Sequence, residues 1–144
     1  MACTLAFFAL LGQALYTQRD QIQLAVPALQ ALGQRLCRTL DCPWPAVRAS
    51  SAVQLDSARL MREPQGLVLR LRVRNTAAVD VVMGALDLTL LGPDAKVLVR
   101  RVLSPMDLGA PVELRTGDAW EGAVQLQLEE AALVQGYRAV LFLP

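Results

Sequence analysis

Arg70, Arg72 and Arg74 stand two residues apart within the stretch LVLRLRVR at 67–74, the strictest apolar–charged alternation in the chain. In an extended strand, positions i, i+2 and i+4 share one face, so the three guanidinium groups form a row. Each guanidinium offers a fork of N–H donors that fits phosphate or carboxylate oxygens, so the row is a candidate site for an anionic envelope polymer. The same row also reads as a solvated sheet face whose arginines pair with acids on neighbouring strands, such as Asp87. Arg100 and Arg101 are adjacent and must point to opposite faces. Thirteen of the 14 basic residues are Arg, a bias that coding composition explains better than ligand choice does.

Cys37 and Cys42 form the second constellation. Five residues apart across a helix end, they come within disulfide range if the chain turns sharply there. Reduced buried thiols and a functional thiol pair are the alternatives. The disulfide reading implies an oxidising compartment. Zinc would need four ligands, and with Cys3 in an apolar head and no histidine the set is incomplete, so no metal site is expected.

The other chemistries fall away on composition. Histidine is absent, which removes Ser-His-Asp and Cys-His systems, histidine metal ligands and histidine bases. Glu129 and Glu130 are adjacent and would face opposite ways in a strand, so they make no acid/base pair. There is no nucleophile elbow, phosphate loop or dinucleotide fingerprint, and no cofactor is expected. Trp44 and Trp120 are isolated, so no stacking platform is visible; Trp120 reads as core filler. Fourteen basic against 13 acidic residues leave a net charge of +1, which gives no field to steer nucleic acid. No catalytic residues are expected.

Several elements must position these residues. The 144 residues are 54 % hydrophobic and 19 % charged, against norms of about 45–50 % and 25 %, and hold one ordinary domain. The first 16 residues carry no charged side chain, and Arg19 and Asp20 close the run. Three readings stay open: a membrane helix over 1–20 whose upstream turn is missing, a degenerate secretory signal, or a buried helix. The membrane reading is favoured because Tyr16 followed by Arg19 is the border expected at an interface. Positive-inside counting of Arg19, Arg35, Arg38 and Arg48 points the following segment to the cytoplasm, but one flank alone does not decide.

Apolar residues at 22, 25, 29, 32, 36 and 40 then trace one helical stripe. Pro27 suits a kink or a fresh helix start. Residues 27–40 read as a short amphipathic helix beside the membrane, with Gln30, Gln34, Arg35 and Arg38 on the polar face; Leu29, Leu32 and Leu36 pack on the following domain or, as the alternative, form a partner-binding groove. Pro43-Trp44-Pro45 stops it. From Ala46 the period becomes 2, giving six to seven strands with a turn about every ten residues. Asn75-Thr76, Gly92-Pro93-Asp94 and Ser104-Pro105 read as turns or loops. With no helical pattern between strands, an antiparallel immunoglobulin-like β-sandwich over 46–144 is expected, and a closed barrel is the alternative.

These residues resemble the bacterial family called domain of unknown function 3426. The likeness runs from Gln13-Ala14-Leu15-Tyr16 and Arg19-Asp20 through Pro27-Ala28-Leu29, Leu36-Cys37 and Cys42-Pro43. It continues through Leu71-Arg72-Val73-Arg74-Asn75, Leu86-Asp87-Leu88-Thr89-Leu90, Arg100-Arg101-Val102-Leu103-Ser104-Pro105 and residues 136–142. The resemblance implies a single-span protein of the cytoplasmic membrane with a β-rich periplasmic domain. Members often carry an upstream cytoplasmic zinc ribbon, which this chain does not show, so metal binding is not carried over. Ala77-Ala78-Val79 also stands where an aromatic-containing stretch is usual. The expectation is a mainly β protein: membrane helix 1–20, amphipathic helix and cysteine linker 21–45, sandwich 46–144. It acts as a non-catalytic binding or scaffolding module whose partners are the membrane and an envelope protein or anionic polymer. The alternative is a regulatory membrane subunit that couples a cytoplasmic zinc ribbon to envelope sensing.

Overall fold

The computed structural model describes residues 2–42, 44–128 and 131–143, with side chains from Ala6 onward. The side chain of Cys3, the proline stop at Pro43 and the Glu129–Glu130 pair lie outside the described residues. Three helices open the chain: α1 (Ala2–Thr17), α2 (Arg19–Ala25) and α3 (Pro27–Leu40). The apolar residues of α1 fall on every side instead of along a stripe. Val26, at φ −129° and ψ 82°, leaves the helical region because the following proline ring crowds it, and Pro27 starts α3 at its first position.

The membrane span expected at 1–20 is not found among the described residues. Among the described residues no helix is long and apolar enough to cross a membrane. The 16 residues of α1 reach about 24 Å at ~1.5 Å per residue, short of the ~30 Å hydrocarbon layer.

Among the described residues eight strands follow: β1 (Val53–Glu63), β2 (Gly66–Asn75), β3 (Val81–Val82), β4 (Ala85–Leu91), β5 (Val97–Leu103), β6 (Glu113–Leu114), β7 (Ala119–Leu126) and β8 (Gly136–Phe142). They form antiparallel sheets in the orders β1-β2-β7, β5-β4-β8 and β3-β6. A register shift between Leu55 and Ser57 bends β1, which accounts for the irregular spacing before Leu60. The β1–β2 hairpin closes with Glu63 opposite Gly66, whose φ of 133° lies outside the range other residues adopt easily. Ser104-Pro105 opens a one-turn helix, α4 (Pro105–Leu108), where a plain loop was expected. Ser104 and Asp107 there satisfy each other's backbone N–H groups as a capping box.

Alternation places Leu69, Leu71 and Val73 of β2 in the same core as Leu86, Leu88 and Leu90 of β4. The two three-stranded sheets therefore share one interior, to which Val47, Val81, Leu103 and Leu126 add their side chains. Along one edge the sheets are joined by polar contacts. The Tyr137 hydroxyl donates to Ala58 O at 2.5 Å, and Arg62 Nη2 donates to Val134 O at 3.1 Å.

Candidate functional site

The arginine row forms as the alternation requires, and the sheet register reveals its neighbours. Asp56 sits at the β1 bulge, where its carboxylate lies 2.8 Å from Arg74 Nη2 and 3.8 Å from Arg72 Nε. Glu121 of β7, opposite Arg72 in register, lies 2.8 Å from Arg72 Nη1. Among the described acids Arg70 reaches only Glu63, at 3.9 Å, and it stands directly across from Arg59 of β1. Thus Arg72 and Arg74 are largely compensated, while Arg59 and Arg70 place two guanidinium groups side by side. Like charges directly opposite are mutually unfavourable, and a bound anion relieves them.

A shallow depression of about 460 Å³ lies at this point, lined by Ser57, Arg59, Arg70, Arg72 and Glu121 among others. What it offers is electrostatic capture of a phosphate or carboxylate group. Arg59 was missed in the sequence because alternation reveals faces but not partners. Counting outward from the Pro64-Gln65 turn would have found it.

Asp87 is not the partner of this row. It lies on the other sheet, where Arg100 donates from Nε to Oδ1 at 3.0 Å and from Nη2 to Oδ2 at 2.5 Å. That hydrogen-bonded pairing holds the Asp87 carboxyl below the usual carboxylate range.

The second constellation is the end of α3. Asp41 adopts a left-handed conformation (φ 52°), which short polar side chains tolerate, and Cys42 N–H then reaches back to Cys37 O at 2.9 Å. This closure brings the Cα atoms of Cys37 and Cys42 to 4.7 Å with the sulfurs at bonding distance. Trp44 folds back over Gly33, where an added Cβ would meet the indole at 2.5 Å. Among the described residues no group of three His, Cys, Asp or Glu side chains could hold a metal.

The helix docks on the strands in an unexpected orientation. Gln30 is buried and clamps the backbone of Asp80: Asp80 N–H donates to its Oε1 at 2.9 Å and its Nε2 donates to Asp80 O at 3.2 Å. Gln34 Nε2 donates to Asp80 Oδ2 at 3.0 Å, and Thr116 N–H donates to Asp80 Oδ1 at 3.0 Å. The glutamines expected on the solvent side thus make the seam, while Leu29, Leu32, Leu36 and Leu40 are 43 %, 55 %, 62 % and 73 % exposed. The expectation that Leu29, Leu32 and Leu36 pack on the β domain is corrected. The match of the Gln30 amide to the Asp80 peptide unit sets which face of α3 docks.

A family described as "Protein of unknown function (DUF3426)" matches residues 47–141. The chain belongs to this family. No curated protein and no solved structure matches it. The DUF3426 region begins at Val47, whose N–H donates to Asp80 O at 3.0 Å and whose carbonyl accepts from Val82 N–H at 2.9 Å. It therefore coincides with the strand body and includes the arginine row and Asp80, whereas α1, α2, α3 and both cysteines precede it.

Proposed function

We propose that this protein is a membrane-anchored, periplasm-facing β-sandwich that works by binding, without catalysis. The observation that carries this reading is α1. Phe7, Phe8, Leu10, Leu15 and Tyr16 are each more than half exposed, and no polar face turns toward water. A helix apolar all round belongs in lipid or in a protein interior. A short apolar helix is accommodated by bilayer thinning and by residues that reach the headgroups. Arg19 lies 4.8 Å from the Tyr16 ring centroid, an aromatic–cation pair suited to that border.

The Cys37–Cys42 bond supports an oxidising compartment on the far side of the cytoplasmic membrane. The strand orders support the immunoglobulin-like reading. With β1, β2 and β7 read as strands A, B and E and β5, β4 and β8 as C′, C and F, both sheets follow that arrangement. The short strand in the D position, β6, pairs with β3 instead of β7. The binding surface is the arginine face, and its ligand is an anionic envelope polymer or an acidic segment of an envelope protein.

A topology reporter after Pro144, combined with carbonate extraction of membranes, tests the anchor and the compartment together. The expected result is a carbonate-resistant protein with a periplasmic reporter. A fully extractable protein, or a cytosolic carboxyl end with both thiols free to label, overturns the proposal.

A further inference from the structure

Helix α3 buries Gln30 and Gln34 against Asp80 and leaves its leucine edge in the open, exposure rising from Leu29 toward Leu40. A water-facing helix would turn the other way. That edge is continuous with the apolar surface of α1. One groove of about 450 Å³ between the helices is lined by Leu15, Ile22, Leu29, Leu32, Leu36 and Trp44. Gln23 also lines this groove and is 8 % exposed, with its Oε1 buried and without a hydrogen-bond partner. Arg19 stands at the groove and Arg35 is exposed on the flank of α3, whereas Arg38 lines the depression beside Asp80. Helix α3 itself carries no acid.

We infer that the leucine edge of α3, with the α1–α3 groove, lies in the headgroup layer of an anionic phospholipid surface and holds the β domain against it. Leucines enter the acyl boundary, Arg19 and Arg35 meet lipid phosphates, and Trp44 sits at the interface, where its amphipathic ring is favoured. Lipid headgroups also supply hydroxyl or ammonium donors for Gln23 Oε1. Lipid is favoured over a second copy because a second α3 would bring more arginines and no acid to meet them. The inference rests on the membrane anchor proposed above, with α3 as a second, surface-lying contact.

The test uses the full chain reconstituted into bilayers with brominated acyl chains, anionic or zwitterionic, in a Trp120→Phe background that leaves Trp44 as the fluorophore. Expected is quenching of Trp44 in anionic bilayers, lost in Leu32→Glu/Leu36→Glu and reduced in Arg35→Gln, while the protein stays in the carbonate-resistant fraction. Amide exchange of residues 27–40 in the unmodified chain, slowed by anionic relative to zwitterionic bilayers, provides the readout should Trp120→Phe fail to fold. A membrane-resident protein with unquenched Trp44 and lipid-independent exchange overturns this inference while leaving the anchor intact. Crosslinking between copies through Leu36→Cys, with the same lack of quenching, overturns it in favour of a dimer. A carbonate-extractable protein fails the anchor instead, and vesicle binding by that soluble chain then decides the surface contact.

Discussion

Replacing Asn75 with Asp isolates one atom group at the centre of the fold. Asn75 ends β2 and is 1 % exposed. Its Nδ2 faces three carbonyl oxygens, of Val79 at 2.8 Å, Leu114 at 3.1 Å and Arg115 at 2.9 Å, and its Oδ1 accepts from Ala77 N–H at 2.9 Å. The side chain therefore ties the β2–β3 turn to the segment between β6 and β7. Aspartate keeps the shape, so no cavity opens, but an ionised carboxylate aims an oxygen at three carbonyl dipoles and donates nothing. Losing two hydrogen bonds costs about 2 kcal/mol, and a buried charge with no partner raises the total to about 3–5 kcal/mol.

The protein can instead keep the carboxyl protonated, since the acid form donates one hydrogen bond. The folded-state pKa of the introduced acid then lies above the unfolded value of about 3.9. Below that value both states hold the proton, and the variant lacks only about one hydrogen bond, ~1 kcal/mol. As pH rises past it the folded state binds more protons than the unfolded one. Stability then falls by about 1.4 kcal/mol for each pH unit until the buried group ionises. Urea titrations followed by Trp fluorescence at pH 4 and pH 7 measure the gap from the unaltered chain. A loss of about 4 kcal/mol moves the midpoint by about 2 M for a slope near 2 kcal/mol/M. A gap that does not change with pH, or that stays below about 1 kcal/mol at pH 7, refutes the assignment of Asn75 as an internal donor.

Gln30→Ala removes both bonds to the Asp80 backbone and is expected to free α3 at a cost of about 2–3 kcal/mol. Faster amide exchange confined to residues 27–40, with the strand body unchanged, checks it. Arg59→Glu is expected to stabilise the β1–β2 pair by about 0.5 kcal/mol while weakening capture of anionic envelope fractions. Arg70→Gln/Arg72→Gln/Arg74→Gln should weaken capture without that stabilisation, and unchanged capture in both removes the anion site. The Asp107 carboxyl is held below its usual range by the Ser104 hydroxyl and then by the Ser104 backbone N–H. Its contribution to α4 is therefore complete above about pH 3.9 and is lost as pH falls through the lower folded value, a step seen in the Leu108 and Gly109 amide resonances and reduced in Ser104→Ala, which keeps the backbone N–H.

What could be read from the sequence was whatever a single period encodes. The row Leu69, Leu71 and Val73 against Arg70, Arg72 and Arg74 follows from one buried and one wet face, and the break before α3 follows from the ring of Pro27. Strand β3 is two valines, too short to show alternation, and it exists because Val47 and Leu114 flank it. Asn75 suits a turn by composition, but nothing local announces that three carbonyls from distant segments converge on it. The partners of the arginine row depend on register, which put Asp56 and Glu121 beside it and left Asp87 on the other sheet. The facing of α3 was misread for the same reason. Hydropathy orders side chains by their cost in water and cannot see a peptide unit 50 residues away.

The residues that escaped prediction share a physical task. A body built from sheets of three, three and two strands has many edges and ends, and their backbone groups need partners once they are buried. Gln30 supplies one donor and one acceptor to Asp80 as a neighbouring strand would, Asn75 closes the end of β2, and Tyr137 and Arg62 cross from one sheet edge to the other. Each is a side chain standing in for a missing strand. This explains how the DUF3426 region joins the helices before it. Asp80 carries Gln30 and Gln34 of α3, Val47 at the start of the family match and Thr116 ahead of β7, so the helix and the strand body share one polar joint. A joint made of directed hydrogen bonds fixes the rotation of α3, which an apolar contact of similar size would leave free to adjust. The leucine edge is therefore presented outward by the geometry of the joint.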